Sequence, residues 1–81
     1  MKVQVRLFAR AKELAGADIV IVVLPGPSTV ADLRRRLAAE HPRLAPLLAR
    51  SVFAVDDEFA DDTRSLSADA EIALLPPVSG G

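Results

Sequence analysis

The chain opens on alternating apolar and polar residues. Val3, Val5 and Leu7 take every second position of the first segment, and this period of two predicts a half-buried strand. We expect their side chains on the covered face of a sheet. Phe8 is out of phase with them and falls on the opposite face.

Two segments carry helical signals. Residues 9–15 are good helix formers and end at Gly16, which predicts one or two helical turns. The main helix begins after Thr29, a favourable N-cap, and Asp32 completes a pattern close to a capping box. This helix ends at or before His41, because the next residue is a proline.

The remaining elements are strands and turns. Strands are predicted at residues 18–24, 52–55, 58–60 and 71–75. A short turn is predicted around Leu44, Leu47 and Leu48, and a hairpin turn at residues 56–57. A loop at 61–64 and a second turn at 65–69 complete the prediction. In the last strand Ile72 and Leu74 share one face, and Ala73 and Leu75 share the other.

The order of these elements predicts the fold class. One long helix on one face of a mixed sheet is the α+β solution for a chain of this size. The order fits a ubiquitin-like β-grasp, in which the helix between the second and third strands packs across the sheet. A ferredoxin-like split βαβ fold is the main competitor, but it needs a second full helix near the C-terminal end.

The last six residues form a distinct segment. They read Pro76-Pro77-Val78-Ser79-Gly80-Gly81. The two prolines cannot donate backbone hydrogen bonds, so the strand stops there, and together they favour an extended exit. The two glycines lack a Cβ, so the segment is thin enough to enter a narrow site on another protein. We expect a β-grasp domain over residues 1–75 and an extended tail over 76–81, although a glycine pair alone is more typical of a frayed terminus.

Composition narrows the functional classes. With 81 residues, of which 51% are hydrophobic and 26% charged, the chain is one small globular domain in which a cofactor cavity would be costly. A net charge of −1 gives no electrostatic footprint for nucleic acid or an anionic membrane. The absence of cysteine excludes disulfides, thiolate nucleophiles and cysteine-ligated zinc. No signal peptide or membrane-spanning run is apparent, so we expect a cytoplasmic location.

Three polar features are assigned to structure rather than to chemistry. Arg34, Arg35 and Arg36 are interpreted as a solvated outer face of the main helix, because three successive residues spread over most of a turn. The carboxylates of residues 56–62 miss the spacing of a calcium loop, so no metal site is predicted. His41 is interpreted as a partner of the helix dipole. The sequence contains no nucleophile–base set and no phosphate loop.

Two motifs give the chain a resemblance to a known family. They are Phe8-Ala9-Arg10-Ala11-Lys12-Glu13-Leu14-Ala15-Gly16, after the first strand, and the Pro-Pro-Val-Ser-Gly-Gly ending. With these motifs, the helix start at residues 29–33 and the β-grasp order, the whole chain resembles the small subunits of molybdopterin synthase. Leu75 stands where that family often has an aromatic residue.

The resemblance implies a sulfur carrier that has no catalytic set of its own. A separate ATP-using enzyme would activate Gly81 as an acyl-adenylate, and a sulfur donor protein would convert it into a thiocarboxylate. The sulfur would pass to a cyclic pyranopterin monophosphate in the large synthase subunit, into which the rest of the tail is inserted (Pro76, Pro77, Val78, Ser79 and Gly80). A dithiolene needs two sulfurs, which suits a heterotetramer with two carriers. No bound cofactor is implied, and neither nucleic acid nor membrane is expected as a partner.

The partner surface follows from the predicted fold. The sheet face away from the helix has no internal cover, so large apolar residues there mark a docking site rather than a core. Phe8 and Leu75 are out of phase with the core positions of their strands, and Phe59 lies in the short strand after the hairpin turn. These three residues are the predicted partner interface. Phe53 shares the parity of Val55 and is predicted to be core.

Two alternatives stay open. Sulfur carriers for thiamine thiazole synthesis or for transfer-RNA thiolation also resemble ubiquitin and end in two glycines, although the Pro-Pro-Val-Ser sequence and the helix after Phe8 favour the molybdopterin branch. A ubiquitin-like modifier joined to lysines by isopeptide bonds, or a plain interaction domain, is the alternative from a different class. The sequence does not name the activating enzyme or the sulfur donor.

Overall fold

The computed structural model describes residues 1–77 and contains a sheet covered by helices on one face. The strands are Lys2–Leu7 (β1), Ile19–Val23 (β2), Ser28–Thr29 (β3), Val52–Val55 (β4), Glu58–Ala60 (β5), Ser65–Leu66 (β6) and Glu71–Leu75 (β7). The helices are Ala9–Ala15 (α1), Val30–Glu40 (α2) and Ala45–Leu48 (α3), with a 3-10 turn at Pro42–Leu44 before α3.

The main sheet has five strands in the order β2-β1-β7-β4-β5. At its centre β1 and β7 run parallel, with Val5 opposite Ile72 and Leu7 opposite Leu74. Antiparallel pairing adds β2 on one side and β4 on the other, and β5 forms a hairpin with β4. The parallel central pair, with α2 between β2 and β4 in the chain, confirms the predicted β-grasp.

The core lies between α2 and one face of this sheet. Val30, Leu33 and Leu37 form the apolar stripe of α2 and are fully buried. The buried residues of the sheet occupy alternate strand positions: Val3, Val5 and Leu7 in β1, Val20 and Val22 in β2, Phe53 and Val55 in β4, and Ile72 and Leu74 in β7. The face assignments predicted for β1, β4 and β7 are therefore confirmed.

The start of α2 is fixed by its own first turn and by a distant loop. The backbone N–H of Thr29 donates to Asp32 Oδ2 at 2.8 Å, and the N–H of Asp32 donates to Thr29 Oγ1 at 3.4 Å, so the capping box is complete. The N–H groups of Val30 and Ala31 each donate, at 3.0 Å, to backbone carbonyls in the loop 61–64. This loop thereby satisfies two donors that a helix start leaves without intrahelical partners.

A second, two-stranded sheet was not predicted. Ser28–Thr29 pairs antiparallel with Ser65–Leu66, and Leu66 is buried beneath this pairing. The prediction of a turn over residues 65–69 was wrong for its first two residues. A ladder of two residues leaves no periodic pattern in the sequence, so the pairing depends on tertiary context.

Candidate functional site

The tail leaves the domain from a central strand. β7 lies between β1 and β4 and ends at Leu75. Pro76 and Pro77 follow outside any strand and are half-buried, so the prolines end the strand where the sequence predicts. The roles predicted for Val78, Ser79, Gly80 and Gly81 lie outside the described residues.

A groove of about 1140 Å³ lies against the root of the tail. Its apolar lining comprises Phe8, Ala9, Leu14, Pro46, Leu47, Leu75, Pro76 and Pro77. Its charged lining comprises Arg10, Arg43, Arg50 and Glu13, so positive charge is in excess. Within residues 1–77, the one carboxylate close to any of these arginines is that of Glu13, 4.0 Å from Arg10. The groove therefore combines apolar surface with positive charge. It was not predicted from the sequence, because its arginines come from three separate segments.

The three predicted interface residues lie on the uncovered face of the sheet or at its border. Phe59 is 79% exposed and Phe8 is 40% exposed, whereas Leu75 is half-buried. Phe59 stands opposite Ala54, and Ala54 stands opposite Ala73 in the next strand. The small alanine side chains leave a shallow apolar surface between the Phe59 ring and the middle of the sheet. Contact of this surface with a partner remains a prediction.

Four further large apolar residues are exposed on this face. They are Ile19, Ile21 and Val23 of β2 and Val52 of β4. Residues 18–24 were predicted to form a strand, but the faces of that strand were not assigned. Parity could have found these residues, because Val20 and Val22 alternate with them and are the buried set.

The interpretation of the three consecutive arginines was wrong for Arg34. Its side chain is 23% exposed and binds Asp62, whereas Arg35 pairs with Asp32 and Arg36 with Glu40 on the outer face of α2. The position of α2 turns the first of the three side chains toward α3 and the 61–64 loop. Arg34 is thus a structural residue rather than a solvated one.

The remaining polar features have structural roles. Asp56 and Asp57 have φ values of 51° and 68°, which fit the primed turn of a two-residue hairpin and confirm the predicted turn. The hydroxyl and N–H of Thr63 donate to Asp61 at 2.6 and 3.0 Å and lower the pKa of its carboxyl group. His41 is the C-cap of α2.

The part of the chain that the structure describes has neither a metal-binding cluster nor a membrane-spanning helix. Residues 1–77 contain no group of three or more His, Cys, Asp or Glu side chains placed to hold a metal ion. Over the same residues, no helix has the length and apolar character needed to cross a membrane.

The fold and the tail exit define a ubiquitin-like protein of the β-grasp class, whose last strand continues into a proline-led segment. Comparison of the sequence with protein-family profiles identifies the family within this class. The chain belongs to the ThiS family, whose profile matches residues 5–81.

Similar proteins cover nearly the whole chain. The molybdopterin synthase sulfur carrier subunit of Dictyostelium discoideum is 37% identical over 96% of this chain and 94% of that protein. The crystal structure of SAMP1, small archaeal modifier protein 1, from Haloferax volcanii is 31% identical, with a TM-score of 0.87 over 100% of both chains. A chain in the protein–protein complex of subunits 1 and 2 of the molybdopterin-converting factor from Helicobacter pylori is 28% identical, with a TM-score of 0.70 over 100% of both chains.

Proposed function

We propose that this protein is the sulfur-carrier subunit of a molybdopterin synthase. The observation that carries the proposal is its end-to-end similarity to a protein with this function, at 37% identity. The geometry supports the same conclusion, because a segment led by Pro76 and Pro77 leaves the centre of the sheet beside exposed apolar residues. Such a domain presents its terminal segment to another protein rather than reacting within a cavity of its own.

The chemistry centres on Gly81, the last residue of the sequence. A carboxylate is a poor electrophile, so it first attacks the α-phosphorus of ATP on an activating enzyme, and pyrophosphate leaves. Sulfide released by a sulfur donor protein then attacks the acyl-adenylate carbonyl, AMP leaves, and a thiocarboxylate remains at Gly81. The thiocarboxylate is a soft nucleophile that attacks cyclic pyranopterin monophosphate and displaces one of its oxygen substituents. Water then cleaves the acyl–sulfur bond, which leaves the sulfur on the pterin and a carboxylate at Gly81. The partners supply the acids, bases and phosphate-binding groups, so this chain binds no cofactor itself.

The large synthase subunit is the partner of the tail and of the uncovered sheet face. Residues 1–75 act as the folded domain, and residues 76–81 act as the segment that enters the partner's active site. Phe59, Phe8 and Leu75 form the apolar contact surface around the tail exit. A dithiolene requires two sulfurs, which a heterotetramer with two carriers supplies. The components meet in the cytoplasm.

A ubiquitin-like modifier is the second candidate. The observation that favours it is the similarity to SAMP1, a protein named as a modifier, at a TM-score of 0.87. A modifier also activates its terminal glycine as an adenylate, but it then forms isopeptide bonds with lysines on target proteins. The two functions therefore diverge in what becomes of the activated carboxyl group.

Thiol labelling separates these functions cleanly. The chain has no cysteine, so an alkylating reagent applied to protein from its native host finds no ordinary thiol. Arg64 is the last basic residue, so trypsin releases residues 65–81 as one peptide. A label on this peptide at Gly81 supports the sulfur carrier, and oxidation of Met1 does not confuse the result because it falls on another peptide. The matched control is the same alkylated protein treated afterwards with hydroxylamine, which cleaves the S-alkyl thioester formed at Gly81 and removes the label.

The other outcomes contradict the carrier. An unlabelled peptide accompanied by isopeptide-linked conjugates supports the modifier instead. An unlabelled peptide without conjugates leaves a β-grasp interaction domain whose tail carries no sulfur.

A further inference from the structure

The edge strand β2 has an unpaired side whose orientation can be derived from its hydrogen bonds. The N–H of Leu7 donates to the carbonyl of Asp18 at 2.8 Å. At the other end of the pair, Met1 and Leu24 exchange both of their bonds, at 2.8 and 2.6 Å. In an antiparallel ladder the hydrogen-bonded positions alternate, so the residues of β2 that face β1 are the even-numbered ones.

The odd-numbered residues of β2 therefore direct their backbone groups away from the sheet. Ile19, Ile21 and Val23 each present an N–H and a C=O to the free edge, and none of them takes part in a backbone hydrogen bond to another segment within residues 1–77. The same residues are 42%, 58% and 51% exposed. Free hydrogen-bonding groups and exposed apolar side chains thus coincide along one strand edge.

This edge lacks the features with which proteins usually protect such strands. Residues 19–23 contain no charged residue, proline or glycine, and all five strand positions pair with β1 in a continuous register without a bulge. The opposite edge of the sheet is different, because β5 has three residues and begins with Glu58. The free edge of β2 is consequently the side of the sheet that favours strand addition.

We propose that this edge pairs with the same edge of a second copy of the chain, antiparallel and with the two-fold axis at Ile21. In that register Ile21 faces its own copy, and Ile19 faces Val23 of the second copy. Each of these residue pairs would exchange two backbone hydrogen bonds, because the outward-facing positions coincide. The exposed side chains of both strands would then form one continuous apolar row.

Self-complementarity is the reason for choosing a second copy as the occupant. A two-fold interface requires a surface that is complementary to itself. Strand β2 meets this requirement, because the apolar residues Ile19 and Val23 lie at equal distances on the two sides of Ile21. The nearest charged residue, Asp18, would lie opposite Leu24 of the second copy, so no like charges meet. The proposal does not rest on sulfur transfer, and β1 separates this edge from the strand that bears the tail.

Cysteine cross-linking tests the register, since the chain has no cysteine of its own. In the proposed dimer the two I21C positions lie about 5.5 Å apart between Cα atoms, within the range of a disulfide. The two I19C positions lie roughly 13 Å apart and cannot be bridged. Under mild oxidation we expect I21C to cross-link rapidly, I19C to stay monomeric, and a mixture of I19C and V23C to give the mixed dimer. Equal cross-linking of I19C and I21C would overturn the proposed register.

The oligomeric state of the full chain tests the pairing itself. We expect a monomer–dimer equilibrium in sedimentation velocity runs across a range of concentrations. I21P removes an outward N–H without touching the ladder to β1, and we expect it to raise the dimer dissociation constant about tenfold or more. Glu58→Lys, a charge change on the far edge strand β5, is the control and should leave the dimer unchanged.

Two results would reject self-pairing. One is a wild-type chain that stays monomeric at all concentrations. The other is a wild-type chain that is monomeric and an I21P variant that no longer binds the large subunit. That result would show that the large subunit, rather than a second copy, pairs with the free edge of β2. Should I21P fail to fold, the cross-linking variants still decide the question.

Discussion

The guanidinium carbon of Arg34 lies 5.1 Å from the centroid of the Phe53 ring. The same guanidinium group donates to the carbonyl of Leu48, to the carbonyl of Ser51 at 2.9 Å and to Asp62 Oδ1 at 2.9 Å. One side chain of α2 therefore joins the end of α3, the entry to β4 and the 61–64 loop. The planar, multiply donating guanidinium group is suited to this role in a way that a lysine ammonium is not.

Arg34→Ala should destabilise the fold by roughly 1.5–3 kcal/mol, because it removes the charge-assisted hydrogen bonds and the contact with the Phe53 ring. Arg34→Lys should recover only part of this loss. Urea unfolding measures the free energy of unfolding of both variants. The control is Arg36→Ala, which removes an exposed pair with Glu40 and should change the free energy of unfolding by about 0.5 kcal/mol or less. Equal effects at the two positions would contradict the bridging role of Arg34.

Deletion of Gly81 should leave the free energy of unfolding unchanged, because the last core position, Leu74, precedes the tail. The same deletion should abolish sulfur transfer in an assay with the large subunit and the activating enzyme, since the reacting carboxyl group is displaced. One residue added after Gly81 should be as damaging for the same reason. Dithiolene formation by either variant would contradict the proposed carrier mechanism.

Phe59→Ala should weaken binding to the large subunit by about tenfold or more, because an exposed aromatic ring is a strong candidate for a binding hot spot. The free energy of unfolding should change by no more than about 0.5 kcal/mol, since little of the ring is buried in the isolated domain. Phe53→Ala provides the contrast, because its fully buried ring should cost about 3–5 kcal/mol of stability. Isothermal titration calorimetry measures the binding, and unchanged affinity would remove Phe59 from the interface.

The capping box should make stability depend on pH. The hydrogen bond from the Thr29 backbone N–H lowers the pKa of Asp32 below its ordinary value of 3.8, with further lowering from the Thr29 hydroxyl and Arg35. A carboxyl group with a lowered folded-state pKa binds fewer protons in the folded chain, so its stabilising effect is complete above pH 3.8 and is lost as the pH falls through the folded-state value.

Asp32→Asn should therefore be less stable than the wild type at neutral pH, and the difference should shrink as the medium becomes more acid than pH 3.8. Urea unfolding at a series of pH values follows this difference. Thr29→Ser keeps the hydroxyl group and should behave like the wild type. A difference that stays constant into strong acid would show that the Asp32 charge does not stabilise the helix start.

Local patterns were sufficient for most of the fold. The alternation at Val3, Val5 and Leu7 predicts the buried face of β1, and the pair Thr29 and Asp32 predicts the start of α2. The prolines at the ends of elements are equally direct, because a missing N–H ends a ladder regardless of the surroundings. These signals depend on residues that are close in the sequence, so they can be recognised without knowledge of the fold.

Long-range contacts could not be predicted in the same way. Arg34 binds acceptors that are 14, 17 and 28 residues away, and its type alone suggests a solvated helix face. The pairing of β3 with β6 is too short to give a period, and the arginines of the groove meet only after the chain has folded. At the candidate site, strand parity predicted the face of Phe8 and Leu75, and Phe59 was predicted from its place in the short strand after the turn. The faces of β2 were not assigned until the structure showed Val20 and Val22 buried.

The parallel pairing of β1 with β7 has a consequence for the order of folding. Its strands are the first and the last of the chain, yet they lie side by side at the centre of the sheet. Contacts of such large sequence separation form slowly, because the intervening chain must lose its freedom before they contribute. During synthesis the sheet cannot be completed until β7, which lies between β1 and β4 and ends at residue 75, has been added. Pro76 and Pro77 are consequently added to the chain only after every strand of the main sheet has been synthesised.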